Sequence, residues 1–394
     1  MKMTIIIPTR GRPETLHYAI LNCVLQEYDD LEILVSDNCS DDGTEEVVKA
    51  FLDKRIRYIR TPRRLSMRAN FEFALAHVQE GFVGFMGDDD ALFPEAIKKA
   101  AAFIGQSGMK ALTSTLATYR WPNAPDAIKN TGKLQFSTSG DTCRNSAEFI
   151  DKALRGTGSF YVHDLPSVYY GFVHVSLLKP HGGTDFFNSL SPDAYSAFAV
   201  AAQVPEYGYL AEPLFVIGAS GRSNGVSHFH KDANKQESMS FAVENDFPFH
   251  PDYLLCQSIS LCVHEAFRQV ADRYPDLIQT VHVDPMSLIR NMAREVDQYN
   301  GAALLESALF TGTRSGIDAE EILKEFHVKK VSFPEAMRNN FDHLVSRIMK
   351  GNKEKKKQAK YVTVNYPDMT VYGVEDCHHA ALFFQKELEK INAN

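Results

Sequence analysis

The sequence lacks the cysteine pairs and the long apolar runs that define several classes of protein. Its six cysteines are scattered and none belongs to a Cys-x-x-Cys pair, a pattern typical of reduced, mostly buried thiols and not of a disulfide framework or a zinc site. No apolar run approaches the roughly 20 residues of a membrane-spanning helix. Internal repeats are missing too, and the one biased tract is a lysine-rich run at residues 350–357. We therefore expect a soluble globular protein.

Excess positive charge is also missing. The chain of 394 residues carries a net charge of -8, which disfavours nonspecific nucleic-acid binding as its main role. A strand pattern that begins at Met3 leaves no room for a signal peptide, so we predict a cytoplasmic protein. The lysine-rich run leaves two alternatives open, a solvated surface or attraction to the inner face of the membrane. Because the chain exceeds what one hydrophobic core usually supports, we expect two or three packed units.

Short strands and helices alternate over the first hundred residues. Strands are predicted at residues 3–8, 31–35, 56–59 and 82–86, and helices from about residue 13 and at 44–52, 67–79 and 93–104. This alternation with short connections predicts an α/β fold with a mostly parallel sheet that helices cover on both faces.

The rest of the chain is less regular. Strands are predicted at 111–119, 169–175 and 214–217, and a helix begins at Ser191-Pro192-Asp193, since serine and proline both favour helix initiation. Long helical patterns then follow at 252–273, 286–310, 318–326, 334–349 and 376–391. We accordingly divide the chain into residues 1–110, residues 111–230 and an α-helical C-terminal region at 231–394.

Three consecutive aspartates, Asp88, Asp89 and Asp90, follow the fourth strand. Carboxylates this close repel each other unless water or a cation compensates them. Oxygen-only clusters suit Mg²⁺ or Mn²⁺, which bind through one or two carboxylates plus substrate phosphates. Capping of the helix near Pro94 is the alternative, but one cap explains one aspartate and not three. Since ligands gather at the carboxyl ends of strands in such sheets, the pattern predicts a metal–diphosphate site.

Three other polar segments stand at predicted strand or helix ends. They are Pro8-Thr9-Arg10-Gly11-Arg12, the run Asp37-Asn38-Cys39-Ser40-Asp41-Asp42-Gly43-Thr44, and Arg68-Ala69-Asn70. Together with the aspartates and the proline that follows them, this set resembles the family 2 glycosyltransferases, closely over residues 3–110 and loosely over 165–225. The resemblance implies a GT-A fold, which is Rossmann-like, and an inverting transferase. Such an enzyme moves a sugar from a UDP-, dTDP- or GDP-sugar to a saccharide or lipid-linked saccharide, with Mn²⁺ or Mg²⁺ as cofactor.

The resemblance also assigns roles on the donor side. Thr9 and Asp37 should contact the nucleoside, and Arg68 should lie near the base or a phosphate. Asp37 as a turn-forming residue and Arg68 as a solvated charge are the plainer alternatives. Further contacts with the donor are expected from the remaining residues of these motifs, Pro8, Arg12 and Asn38. Many relatives have a second aspartate where this chain has Asn38, whose amide can still hydrogen-bond sugar hydroxyls.

The metal ligands implied by the resemblance are Asp88, which also faces the ribose, and Asp90. The register of three aspartates leaves Asp89 open as the ligand instead, and Asp89 is in any case expected at the donor. His228 is a candidate to complete the metal shell, with His230 as its alternative, although an exposed loop histidine is the plainer interpretation of both. A glycine- and serine-rich loop can close over the phosphates with the side chains of Ser220, Arg222, Ser223 and Asn224.

An inverting transferase needs a carboxylate that takes the proton of the acceptor hydroxyl. The family usually supplies it at a helix start in the second half of the domain, where this chain has Asp193. Capping of that helix is the alternative role.

Two other classes of protein remain as alternatives. A non-catalytic sugar-nucleotide sensor or scaffold would use the C-terminal helices, which are also candidates for a homo-oligomer interface. A sugar nucleotidyltransferase is disfavoured, because residues 9–13 lack the glycine pattern of its phosphate loop.

Overall fold

The computed structural model describes residues 1–157, 162–179, 185–223, 244–281, 283–297, 300–327 and 361–393. The lysine-rich run, the helix predicted at 334–349 and the candidate residues Asn224, His228 and His230 lie outside the described residues.

The N-terminal part follows the predicted alternation of strands and helices. Its elements are β1 (Met3–Thr9), α1 (Pro13–Val24), β2 (Leu31–Asp37), α2 (Thr44–Lys49), β3 (Ile56–Arg60), α3 (Met67–Ala76), β4 (Phe82–Phe85), β5 (Ala91–Leu92) and α4 (Ala96–Ser107). Strand β1 pairs in parallel with β2 and β4, and β2 pairs in parallel with β3. The predicted α/β fold is therefore confirmed, and the strand pairs in this part are parallel, although the sheet as a whole is mixed and not mostly parallel.

The burial of β1 explains why helices must cover both faces of the sheet. Successive side chains of a strand point to opposite faces. Ile5 and Ile7 accordingly belong to one hydrophobic cluster, which contains Leu16 of α1, while Ile6 belongs to a second, which contains Phe71 of α3. An all-apolar strand is thus stable only as the centre of a three-layer structure.

The middle of the chain adds mainly antiparallel strands. Its elements are β6 (Ala111–Arg120), β7 (Gly132–Ser137), β8 (Thr142–Asn145), α5 (Ser146–Arg155), β9 (Phe172–His174), α6 (Val175–Leu178), α7 (Pro192–Gln203) and β10 (Glu206–Ala219). Strand β6 pairs antiparallel with β7 and β9, and β10 pairs parallel with β6. Helix α5 was not predicted, although the Asn145 side chain accepts the N–H of Glu148 at 3.0 Å as an N-cap.

The C-terminal helices form a bundle with its own core. They are α8 (Ile259–Arg273), α9 (Asp276–Thr280), α10 (Pro285–Arg294), α11 (Gly301–Arg314) and α12 (Ala319–His327). Leu261, Ile289 and Leu304 belong to that core. Helix α8 also packs on α7, where the rings of Phe267 and Phe198 lie 5.4 Å apart. No helix of the residues described here has both the length and the apolar character that a bilayer crossing requires.

The last described segment, residues 361–393, returns to the sheet instead of extending the helical region in which the sequence placed it. Strand β11 (Tyr361–Tyr366) pairs antiparallel with β7, and α13 (Cys377–Asn392) packs on the N-terminal core through Phe384. The sheet order is β11-β7-β6-β9-β4-β1-β2-β3, with β5 and β8 paired to β10. The strand was not predicted because only two valines alternate with polar residues in Tyr361–Tyr366.

Candidate functional site

The carboxyl ends of β1, β2, β4 and β10 meet at one edge of the sheet, and the acidic residues lie there. The Thr9 hydroxyl at the end of β1 donates to Asp88 Oδ2 at 2.6 Å. The Gly218 N–H near the end of β10 donates to Asp90 Oδ1 at 2.7 Å. The sheet therefore brings together residues that are separated by more than a hundred positions in the sequence.

Asp88 is fully buried and faces a cation of the protein. The guanidinium Nη2 of Arg12 lies 3.1 Å from Asp88 Oδ1, which has no hydrogen-bond partner within the described structure. Burial raises the pKa of Asp88 to about 6, and Arg12 and the Thr9 hydroxyl oppose that rise. In this ligand-free state Arg12 supplies much of the positive charge that Asp88 requires.

Asp89 is held by the loop that follows β10. Its Oδ2 accepts the Ser220 hydroxyl at 2.8 Å, the Ser220 N–H at 3.1 Å and the Ser223 hydroxyl. Its Oδ1 accepts no hydrogen bond from the residues that the structure describes. Two of the loop side chains predicted to close over phosphates, Ser220 and Ser223, thus orient a carboxylate in the ligand-free state.

Both carboxylate oxygens of Asp90 accept hydrogen bonds from main-chain N–H groups. Oδ2 accepts the Gly87 N–H at 2.6 Å, and Oδ1 accepts the Gly218 N–H. Burial, with the neighbouring charge of Asp89, raises its pKa well above the usual range. Gly218 permits this close approach, because a Cβ there would collide with the main-chain oxygen of Asp89. Asp90 therefore shapes the turn after β4.

The residues predicted at the tip of β2 are also engaged within the protein. Asp37 accepts the Tyr58 hydroxyl at 2.6 Å through Oδ2 and the Ser40 N–H at 2.9 Å through Oδ1. The Asn38 amide donates to the Leu65 carbonyl and accepts the Leu65 N–H, both at 2.8 Å. Asn38 thus anchors the segment that leads into α3, while Asp37 remains at the strand tip beside the site.

Arg68, in the first turn of α3, pairs with a carboxylate that the sequence did not single out. Its Nη2 and Nε lie 2.8 and 3.1 Å from the two oxygens of Asp246. Glu244 binds Arg10 nearby, with Nη1 and Oε2 2.8 Å apart. Pro8 lies beside Ser36 in the β1–β2 pair. No local sequence signal marked Glu244 and Asp246.

Asp193 lies in the first turn of α7 and lines a small cavity. The other walls of this cavity include His163, Tyr169 and Tyr170. Burial lowers the pKa of His163 to about 4 and raises the pKa of both tyrosines well above the usual range, so all three are neutral near pH 7. The charges of Asp89, Asp90 and Asp193 all act on the Tyr169 hydroxyl. Tyr169 therefore lies within electrostatic reach of both the strand-tip carboxylates and Asp193.

A divalent cation fits the carboxylate oxygens that the main chain leaves available. Asp88 Oδ1 and Asp89 Oδ1 accept no hydrogen bonds in the described part of the chain, whereas both oxygens of Asp90 do. Within the same residues no group of three or more His, Cys, Asp or Glu side chains is arranged to hold a metal ion. Mg²⁺ and Mn²⁺ commonly bind through one or two carboxylates and take their other ligands from substrate phosphates and water, so two carboxylate oxygens fit either ion.

Comparison with known proteins identifies the N-terminal part. Residues 4–149 match the model of the family described as Glycosyl transferase family 2. Over 99 residues the chain is 35% identical to the GalNAc(5)-diNAcBac-PP-undecaprenol beta-1,3-glucosyltransferase of Campylobacter jejuni, a stretch that is 24% of this chain and 32% of that protein. Over 107 residues it is 26% identical to an uncharacterized glycosyltransferase of Haemophilus influenzae, covering 27% of this chain and 43% of that protein. The matched stretches thus span less than half of each relative.

The fold is shared with a solved structure over a greater length. The crystal structure of S. aureus TarS 1-349 in complex with UDP-GlcNAc matches 84% of this chain and 92% of its own, with a TM-score of 0.50 and 16% sequence identity. At this identity the likeness shows the fold alone. The predicted family is thus confirmed over residues 4–149, and the predicted fold over most of the chain.

Proposed function

Since residues 4–149 belong to glycosyl transferase family 2, we propose that the protein transfers a sugar from a nucleoside-diphosphate sugar to a hydroxyl group of an acceptor. The observation that carries this proposal is the placement of the Asp88 and Asp89 carboxylates at the strand tips of that domain, with Arg12 3.1 Å from Asp88 Oδ1. Asp193 lines a cavity together with Tyr169. Asp88 and Asp89 are thus proposed to act at the donor diphosphate, and Asp193 at the acceptor hydroxyl.

Asp88 and Asp89 are the residues that would hold Mg²⁺ or Mn²⁺, whose chemistry there would be to offset the negative charge on the leaving nucleoside diphosphate. The Asp90 carboxylate is proposed to keep its hydrogen bonds to main-chain N–H groups and thereby to stabilise the turn. Arg12 lies 3.1 Å from Asp88 and 4.0 Å from Asp89, so it contributes a second positive charge beside the same carboxylates. This assignment replaces the predicted Asp88–Asp90 pair by Asp88 and Asp89.

The nucleoside is proposed to bind over the tips of β1 and β2. Asp37 there has two carboxylate oxygens, each with one hydrogen bond of 3 Å or less to the protein, and a carboxylate oxygen can accept more than one. Pro8, Thr9 and Asn38 are proposed to lie beneath the nucleoside. Arg68 is proposed to contact a phosphate or the base after its ion pair with Asp246 breaks.

Asp193 is the proposed general base. As the acceptor oxygen bonds to the anomeric carbon, the bond from that carbon to the diphosphate breaks and the hydroxyl proton moves to the Asp193 carboxylate, with inversion at the carbon. His163, Tyr169 and Tyr170, which are neutral near pH 7, add no charge to the cavity that this carboxylate lines. The name of the Campylobacter relative specifies an undecaprenol-linked substrate, which favours a lipid-linked saccharide as acceptor and a site of action at the cytoplasmic membrane surface.

Thermal-shift measurements with UDP-, GDP- and dTDP-sugars test the proposal, because a ligand that binds the folded state raises the melting temperature. We expect one nucleotide class to raise it in the presence of Mn²⁺ and to lose most of the effect with EDTA. Release of the nucleoside diphosphate should then be measurable, slowly with water and faster with acceptor. The absence of both binding and release for all three classes would exclude the proposed activity.

A further inference from the structure

Trp121, the single tryptophan of the chain, lies directly behind the three aspartates. It follows the end of β6 and is only 6% exposed. Its indole Nε1–H donates to the main-chain carbonyl oxygen of Asp89 at 2.9 Å. The sequence offered no reason to connect it with the site, because 32 residues separate donor and acceptor.

The Asp89 carbonyl group is held from two sides. Trp121 donates to its oxygen, and Gly218 lies so close to the same oxygen that any side chain there would collide with it. The peptide group that begins with this carbonyl joins Asp89 to Asp90, so its orientation sets the direction of both side chains. Asp89 is thereby directed to the hydroxyls after β10 and Asp90 to the N–H of Gly218.

Trp121 is itself fixed by neighbours from distant parts of the chain. Its ring lies 5.9 Å from that of Tyr18 in α1 and 6.0 Å from that of Tyr119 in β6. Its main-chain N–H donates to the Ala219 carbonyl at 3.1 Å. Cys377, at the start of α13, belongs to the same hydrophobic cluster as Trp121. The segment at 361–393 thus supports the residue that holds the acidic turn.

We propose that Trp121 is a positioning residue for the metal and donor site. Its indole N–H fixes the Asp89 peptide so that the carboxylates of Asp88 and Asp89 point together into the site. This inference rests on the proposed function for its consequence, though not for the contact itself. Without the N–H, a buried carbonyl oxygen would lack a donor, and the turn would relax to find one.

Because the chain has one tryptophan, amino-acid analogues supplied to a tryptophan auxotroph replace Trp121 alone. β-(3-Benzothienyl)alanine has nearly the shape of tryptophan but carries sulfur in place of the N–H. 5-Fluorotryptophan keeps the N–H and is the matched control. This pair separates the hydrogen bond from the packing of the ring, which a change to phenylalanine or alanine would not.

Hydrogen exchange of the ligand-free protein gives the first measurement. The N–H groups of Gly218 and Ser220 donate to the carboxylates of Asp90 and Asp89 and therefore report the position of the turn. We expect their exchange to be several-fold faster with the benzothienyl analogue and unchanged with 5-fluorotryptophan. Equal exchange in the two proteins would overturn the proposal, whether or not any nucleotide binds.

Calorimetry with Mn²⁺ and UDP, GDP or dTDP gives the second measurement. For the nucleotide that binds the natural protein, we expect roughly tenfold weaker binding to the benzothienyl protein, in line with the loss of one buried hydrogen bond. Equal affinity of both analogue proteins would refute a role in the site. If none of the three nucleotides binds the natural protein, the proposed function fails, and hydrogen exchange alone decides the role of Trp121.

Discussion

Two halves of the candidate site handle charge in opposite ways. In the strand-tip half, which comprises Thr9, Arg12, Asp37 and the aspartates Asp88–Asp90, each carboxylate meets N–H groups, hydroxyls or a guanidinium. In the tyrosine half, which comprises His163, Tyr169, Tyr170 and Asp193, burial keeps the histidine and both tyrosines neutral. The strand-tip half therefore surrounds its carboxylates with donors, although burial still raises the pKa of Asp88 and Asp90, whereas the cavity of the tyrosine half places neutral side chains beside Asp193.

Replacement of Asp193 by asparagine is the strongest test of this division. Because general base catalysis typically contributes 10²–10⁴-fold, we expect Asp193→Asn to lower kcat by about 10³-fold. The Kd of the nucleotide with Mn²⁺ should not change, since the strand-tip half is intact. Steady-state kinetics and calorimetry on the same preparation measure both quantities.

A first-turn aspartate also stabilises its helix, and that role needs its own control. Asp276 occupies the first turn of α9, away from the cavity, so Asp276→Asn removes a comparable helix charge. Its kcat should remain at the natural value. Full activity in Asp193→Asn would contradict its role as general base. A loss of nucleotide affinity as large as the loss of kcat would contradict the separation of donor binding from proton transfer.

Within the strand-tip half, Asp89 and Asp90 should respond differently to the same change. Loss of a partner that merely supports a metal ligand typically costs 10–100-fold in metal affinity, so we expect Asp89→Asn to weaken Mn²⁺-dependent nucleotide binding by roughly 100-fold. Asp90→Asn leaves one acceptor oxygen for two N–H groups and should lower the free energy of unfolding by about 1–3 kcal/mol. Calorimetry and urea unfolding of both variants measure these effects.

The opposite outcome would restore the predicted Asp88–Asp90 pair. Metal-dependent binding would then be lost in Asp90→Asn and kept in Asp89→Asn, with little change in the stability of either variant. Ser220→Ala is a useful third protein, because it removes one hydroxyl from Asp89 Oδ2 and leaves both carboxylates in place.

Glu72 shows how burial raises the pKa of a carboxylate that forms no close ion pair within the described residues. It lies in α3, accepts the N–H of Phe187 in the segment leading to Asp193, and has one oxygen without a partner in the described structure. Burial raises its pKa to about 7 from an ordinary value of 4.5. Between these two pH values the folded state keeps the proton and the unfolded state loses it, so stability falls as the pH rises through this window.

Glu72→Gln removes this titration while keeping an acceptor for Phe187. We expect the free energy of unfolding of the variant to match the natural protein at pH 5 and to exceed it by about 2 kcal/mol at pH 8. Urea unfolding at both pH values measures the difference. Glu14→Gln, at an exposed position of α1, is the control. A gain that is the same at pH 5 and pH 8 would contradict the assignment of the effect to ionisation.

The sequence predicted that these residues meet at the strand tips because its signals are local. Apolar strands that end in Thr9, Asp37 and Asp88 mark the carboxyl edge of the sheet, and parallel pairing brings those ends together. The division of labour among the three aspartates was not predictable. It depends on Gly218 and Ser220, which lie more than a hundred residues away.

The parts that sequence analysis missed depend on contacts of long range. Strand β11 becomes a strand by pairing with β7, and Trp121 becomes part of the site through the Asp89 carbonyl. Neither contact leaves a periodic pattern or a motif. The same holds for Asp246, which pairs with Arg68 across 178 positions. In that ion pair an acidic side chain outside the predicted motifs occupies an arginine assigned to the donor.

The Arg68–Asp246 pair yields the smallest expected effect and the finest test of the strand-tip half. Asp246 is partly exposed, with 41% of its side chain accessible, so its pairing is screened by water. If Arg68 contacts the nucleotide, Asp246 competes with it in the ligand-free state. We then expect Asp246→Asn to tighten nucleotide binding by about threefold, the scale of an exposed ion pair. Asp252→Asn, which removes a carboxylate paired with Arg268, is the control and should leave affinity unchanged. Unchanged or weaker binding in Asp246→Asn would show that Arg68 is a structural charge on α3, and the positive charge of the strand-tip half would then rest on Arg12.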